Sequence, residues 1–130
     1  MNGHSTYKES KVWIQFLREG TAVMQYREFH SAQSWIHSRE AAVKKEHAYV
    51  VVFTADSVFP GKKYEYRFIM NSDTINVDDG YFTTPPLWQW RSDPPEFSFA
   101  LGSCSYFNEE MFDRPGKPYG ANNTIFQSIE

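Results

Sequence analysis

Val58-Phe59-Pro60-Gly61-Lys62-Lys63-Tyr64-Glu65-Tyr66-Arg67-Phe68 is a turn feeding a strand, and its reading decides the fold class. Pro60-Gly61 turns the chain, after which Tyr64, Tyr66 and Phe68 alternate with Glu65 and Arg67, the period of a strand with one buried face. A tyrosine just past such a turn is placed to send its hydroxyl back to upstream backbone, the tyrosine corner of Greek-key sandwiches. The plainer alternative is a tyrosine simply buried on the strand. Either way the stretch predicts a strand entering a second sheet with Tyr64 inside.

Upstream, Lys11-Val12-Trp13-Ile14-Gln15-Phe16 puts Val12, Ile14 and Phe16 on one face and closes at Glu19-Gly20. In Thr21 to Arg27 the inward set is Ala22, Met24 and Tyr26, with Gln25 and Arg27 facing out, so these two segments are expected to be antiparallel neighbours. Glu28 to Glu46 holds Trp35 and Ile36 among polar residues, and its Ser38 to Glu46 portion has good helix formers but no broad apolar stripe, so the stretch reads as a weak strand and an exposed excursion over 38–46. Ala48 to Ala55 is a β-branched and aromatic run of strand length. Asn71-Ser72-Asp73 and Asp78-Asp79-Gly80 mark turns, and Tyr81-Phe82-Thr83-Thr84 is a last strand before Pro85-Pro86. About six or seven short strands between Lys11 and Thr84 indicate an immunoglobulin-like or fibronectin-III-like antiparallel sandwich over residues 1–86.

Composition agrees with a mainly β chain. Four Trp, eight Tyr and eleven Phe make 18% of 130 residues, a content that favours pleated, half-buried surfaces. Thirteen Lys+Arg against sixteen Asp+Glu give a net charge of −3 without a block of like charges, so no nucleic-acid binding is expected. The longest apolar stretch, Ala48 to Phe53, is far short of the roughly 20 residues a membrane span needs. Cys104 is the single cysteine, which excludes an internal disulfide. Met1-Asn2-Gly3-His4 carries neither the basic start nor the apolar core of a signal peptide, so either export is absent or a leader has been removed.

Leu87-Trp88-Gln89-Trp90-Arg91-Ser92-Asp93-Pro94-Pro95 lies between proline pairs and reads as a linker over 87–95. Its two tryptophans are expected to dock on a neighbouring surface, the alternative being a platform on which sugars stack. Beyond it, Phe97-Ser98-Phe99-Ala100-Leu101-Gly102-Ser103-Cys104 reads as a strand and Asn123 to Ile129 as a helix, the opening of an incomplete α/β segment over 96–130. Cys104, at the carboxyl end of that strand, is open to three roles: inert buried thiol (the commonest), metal ligand, or nucleophile. The last needs a histidine base, and His4, His30, His37 and His47 all lie in the sandwich or at its edge. Asn122-Asn123-Thr124 is read as a helix cap rather than a glycosylation acceptor, and Glu109-Glu110 with Asp113 as a solvated acidic loop rather than a cation site.

The order of several pieces resembles the amino-terminal part of PhoD-like alkaline phosphatases. They are Gly3 to Glu9 with Val12-Trp13-Ile14-Gln15, then Pro60-Gly61-Lys62-Lys63-Tyr64-Glu65-Tyr66, Leu87 to Pro95, Phe97 to Tyr106, and Asp113-Arg114-Pro115-Gly116-Lys117-Pro118-Tyr119-Gly120. The resemblance implies a periplasmic or extracellular phosphomonoesterase or phosphodiesterase acting on a phosphoester substrate, with a sandwich in front of an αββα metallophosphatase domain. It further implies that Cys104 ligates a ferric ion with calcium completing the centre. The family's other ligands have no counterpart before Glu130, so the chain alone is expected to be an inactive piece that needs its catalytic domain in cis. The competing expectation is an autonomous β-sandwich module that binds a glycan or a protein through Trp88 and Trp90.

Overall fold

The structure, a computed structural model, describes residues 1–78, 80–89, 93–99, 101, 110–112 and 115–116. The chain divides into two compact units, Met1–Pro95 and Glu96–Glu130. Nine strands follow one another among the described residues: β1 (Asn2–Ser5), β2 (Ser10–Gln15), β3 (Gly20–Glu28), β4 (Ile36–His37), β5 (Ala41–Val43), β6 (Val50–Ala55), β7 (Lys63–Met70), β8 (Asp73–Ile75) and β9 (Tyr81–Thr83). Two antiparallel sheets result. One has the order β1-β2-β6; in the other β3 and β7 form the central pair, flanked by β4 and β5 on the β3 side and by β8 and β9 on the β7 side.

The mainly β sandwich expected from the alternation is present, and the inward sets are largely the expected ones, except that Ile14 is only half-buried against the core and Gln25, expected to face out, is buried. Val12, Phe16, Ala22, Met24, Tyr26, Tyr64, Tyr66 and Phe68 are all buried. The core closes where aromatic rings from the two sheets meet: Phe68 of β7 lies 5.5 Å from Phe53 of β6 and 6.0 Å edge-on from Phe16, just past β2. Each such ring removed from water contributes roughly 2 to 3 kcal/mol, so this cluster outweighs any surface ion pair in holding the sheets together.

The corner at Pro60-Gly61 is also as expected. Tyr64 is 2% exposed, and its hydroxyl accepts the Phe59 N–H at 2.8 Å. A second tyrosine does the same for the same loop, since the Tyr26 hydroxyl accepts the Ser57 N–H at 3.0 Å. Thr84, fully buried, completes the clasp by donating to the Phe59 carbonyl at 2.6 Å and accepting from the Lys62 N–H at 3.0 Å. Gly61 takes φ +66° in this turn, a conformation other residues rarely adopt. Three core side chains thus satisfy the backbone groups of the loop that carries the chain from one sheet to the other.

Three expectations are corrected. The segments at 11–16 and 21–27 are not neighbours: β2 pairs with β6 (Ser10↔Ala55 to Gln15↔Val50) and β3 with β7 (Ala22↔Met70 to Glu28↔Tyr64), in different sheets. Alternation determines which face a strand buries and leaves its partner open. The excursion at 38–46 contains β5, which pairs with β3 and buries Val43; a strand of three residues is too short to show a period. Phe97–Phe99 forms no strand, and both phenylalanines are exposed. The rest of that expected strand up to Cys104, apart from Leu101, and the expected helix at 123–129 lie outside the described residues.

Burial raises the pKa of the Tyr26 and Tyr66 hydroxyls above the ordinary value of 10.0, at Tyr26 against the opposing effect of the Ser57 hydrogen bonds. The folded values are the higher ones, so the associated stability is fully present below about pH 10 and is lost as pH rises through the folded values. The melting temperature is expected to fall as pH rises above about pH 10, and to fall less in Tyr66→Phe. An equal fall in that variant would contradict the assignment.

Candidate functional site

The outer face of the larger sheet is built by the residues that alternate with its core. On β7 these are Lys63, Glu65 and Arg67, each followed by a buried residue. Register then fixes their neighbours across the sheet. Arg67 is opposite Gln25, Glu65 is opposite Arg27 on one side and Tyr81 on the other, and Lys63 is opposite Thr83 and bonds Phe29 through the backbone at 2.9 Å. Trp35, from the segment leading into β4, joins the same face. Its ring centroid lies 4.3 Å from the Arg27 guanidinium and 4.2 Å from that of Arg67.

The polar groups of this face hold one another in fixed positions. Arg27 Nε donates to Glu65 Oε1 at 2.6 Å, and both side chains are about a quarter exposed, so the pair neutralises itself with limited help from water. Arg67 Nε donates to Gln25 Oε1 at 2.8 Å, which leaves the Gln25 amide nitrogen facing His37 Nε2 at 2.9 Å. The ammonium of Lys63 rests over Tyr81 at 3.7 Å and Phe29 at 4.3 Å from the ring centroids. Phe29, Trp35, Lys63, Glu65, Arg67 and Tyr81 line a groove of about 470 Å³ whose other side is the loop carrying Asn76, Val77 and Gly80. Gly80 comes so close to β7 that a Cβ there would stand 2.8 Å from the Tyr66 carbonyl, and the Tyr66 N–H donates to the Gly80 carbonyl at 2.7 Å. The glycine therefore sets the groove's width.

The residues singled out from sequence lie elsewhere. Trp88 is 49% exposed, in a shallow hollow of about 170 Å³ with Pro86, Leu87, Asp93 and Pro95, so it is half docked at most. Trp90, Cys104, Glu109, Asp113 and the Asn122-Asn123-Thr124 motif lie outside the described residues, and Glu110 opens a short 3-10 turn, Glu110–Phe112. Among the described residues no three His, Cys, Asp or Glu come together in a way that could hold iron or calcium. No helix among the described residues is long and apolar enough to cross a membrane. The outer-face cluster was missed because its members come from four separate segments. Its only local sign was the alternation of Glu65 and Arg67 with core aromatics.

No family model and no curated protein matches the chain. Among solved structures, the fold is similar to the solution structure of the sensor domain of the anti-sigma factor RsgI4 from Pseudobacteroides cellulosolvens, at 13% identity and a TM-score of 0.54. The match covers 80% of this chain and 89% of that one. It overturns the resemblance to PhoD-like phosphatases, and with it the hydrolase, phosphatase and metallophosphatase readings. The physical reason lies in what carried that resemblance. Pro60 to Tyr66 is a corner that many sandwiches need, and most of the more particular pieces, Gly102 to Tyr106 and Asp113 to Gly120, lie outside the described residues. What the structure and the comparison show is the fold, a mainly β antiparallel sandwich.

Proposed function

We propose that residues 1–95 act as an autonomous recognition module that binds a glycan across the outer face of the larger sheet, in the periplasm or outside the cell. The observation that carries this reading is the groove itself, which sets Phe29, Trp35 and Tyr81 beside fixed hydrogen-bond donors on a rigid sheet. Aromatic walls with a few placed polar groups are the usual composition of a small-ligand site. Its side chains are already positioned by ion pairs and cation–π contacts, so little ordering entropy remains to be lost on binding. The similarity to the sensor domain of an anti-sigma factor supports a recognising role over a catalytic one.

A tetrasaccharide panel titrated into the full 130-residue chain by calorimetry tests the reading. Trp35→Ala and Tyr81→Ala are each expected to weaken binding about tenfold, the equivalent of about 1.4 kcal/mol for a contact central to a site. Trp88→Ala should leave it unchanged. Circular dichroism checks that each variant is folded. Affinity that survives both outer-face substitutions, or that is lost with Trp88 instead, would move the site to the 86–95 segment.

A further inference from the structure

We infer that the ligand of this groove is an anionic oligosaccharide, selected by Lys63 and Arg67; the inference rests on the glycan reading above. Four charged side chains line the outer-face rows of β3 and β7: Arg27, Lys63, Glu65 and Arg67. Glu65 is consumed by Arg27 at 2.6 Å. Among the described residues no carboxylate pairs with Lys63 or Arg67, although each is held in place, Lys63 on two ring faces and Arg67 by Gln25 and Trp35. The face therefore carries two uncompensated positive charges on a chain whose net charge is −3.

Their spacing adds to the selection. Lys63 and Arg67 stand four residues apart on one strand, which at the usual rise of a strand is about 13 Å, with the neutral Arg27–Glu65 pair between them. A single small anion meets one cation only. A linear sugar chain with a charge on several of its units meets both, and its rings can rest on the aromatic walls between. An extended acidic peptide is the poorer occupant. Peptides gain affinity by adding a strand to a free edge, whereas β7 lies inside the sheet between β3 on one side and β8 and β9 on the other, with its backbone groups paired.

The test compares tetragalacturonate, a sulfated chondroitin tetrasaccharide, neutral cellotetraose, a hexaglutamate peptide and a thymidine hexanucleotide against the full chain by calorimetry. The expected result is binding of one or both acidic sugars at least tenfold tighter than cellotetraose. Lys63→Gln and Arg67→Gln should each remove about tenfold of that preference, as the loss of one charge-assisted hydrogen bond implies. Arg67→Lys, which keeps the charge, should retain most of it, and raised salt should weaken the acidic ligands only. Preference for galacturonate or for the chondroitin sugar identifies carboxylate or sulfate as the charge recognised, and either supports the inference. Equal affinity for cellotetraose and the acidic sugars would overturn charge selection while leaving the glycan reading intact. Binding of no saccharide, or of the peptide or oligonucleotide alone, would overturn both.

Discussion

Phe68→Ala is expected to cost about 3 to 5 kcal/mol of unfolding free energy, the range for removing a fully buried phenylalanine and leaving a cavity. Phe68 is 1% exposed and is the ring at which the sheets meet, touching Phe53, Phe16 and Tyr66. Its neighbours belong to strands of different sheets, so collapse around the void would require the sheets themselves to approach. That places the cost at the upper end of the range. Because a domain of this size has only about 5 to 15 kcal/mol in total, the variant should be close to unfolding at physiological temperature. Urea denaturation followed by circular dichroism measures it. A cost under about 1.5 kcal/mol would mean that the inter-sheet contact is far looser than the 5.5 Å ring separation indicates.

Substitutions at Tyr64 separate a hydroxyl from a ring. Tyr64→Phe removes one hydrogen bond, that from Phe59 N–H, and is expected to cost about 1 kcal/mol. Tyr64→Ala also removes the ring stacked 5.3 Å from Phe82 and the edge contact with Tyr26, and is expected to cost about 3 to 5 kcal/mol. The difference between the two belongs to packing. The 56–61 loop should remain pinned in Tyr64→Phe, because Tyr26 and Thr84 still hold Ser57, Phe59 and Lys62. Amide exchange at Phe59 should rise in Tyr64→Phe while exchange at Ser57 stays slow. Equal acceleration at both would show that Tyr64 alone secures the corner.

What was legible in the sequence was whatever repeats with the period of a strand. Val12 and Phe16, Ala22 to Tyr26, and Tyr64 to Phe68 each announce an inward face, and each is buried. The tyrosine corner was legible because Pro60-Gly61 sits at a fixed offset from Tyr64. Strand partners were not, because the same alternation in 11–16 suits β3 as well as β6, and only the three-dimensional packing of Phe53 against Phe68 decides. The first strand, Asn2–Ser5, is polar and exposed and has no hydrophobic pattern to read. For the site the difference is sharper. Lys63, Arg67, Trp35 and Tyr81 become neighbours only once β3, β7 and β9 are paired in register. The tryptophans and cysteine that stood out along the chain did so by rarity, which says nothing of position.

Amide chemical-shift mapping of the ¹⁵N-labelled full chain, titrated with the tightest oligosaccharide of the panel, tests the central claim most directly. The recognition face proposed for the larger sheet predicts perturbations concentrated at Arg27, Phe29, Trp35, Lys63, Glu65, Arg67 and Tyr81, with β2 and β6 unaffected. Perturbations confined to residues around Trp88, or spread over the smaller sheet, would contradict it.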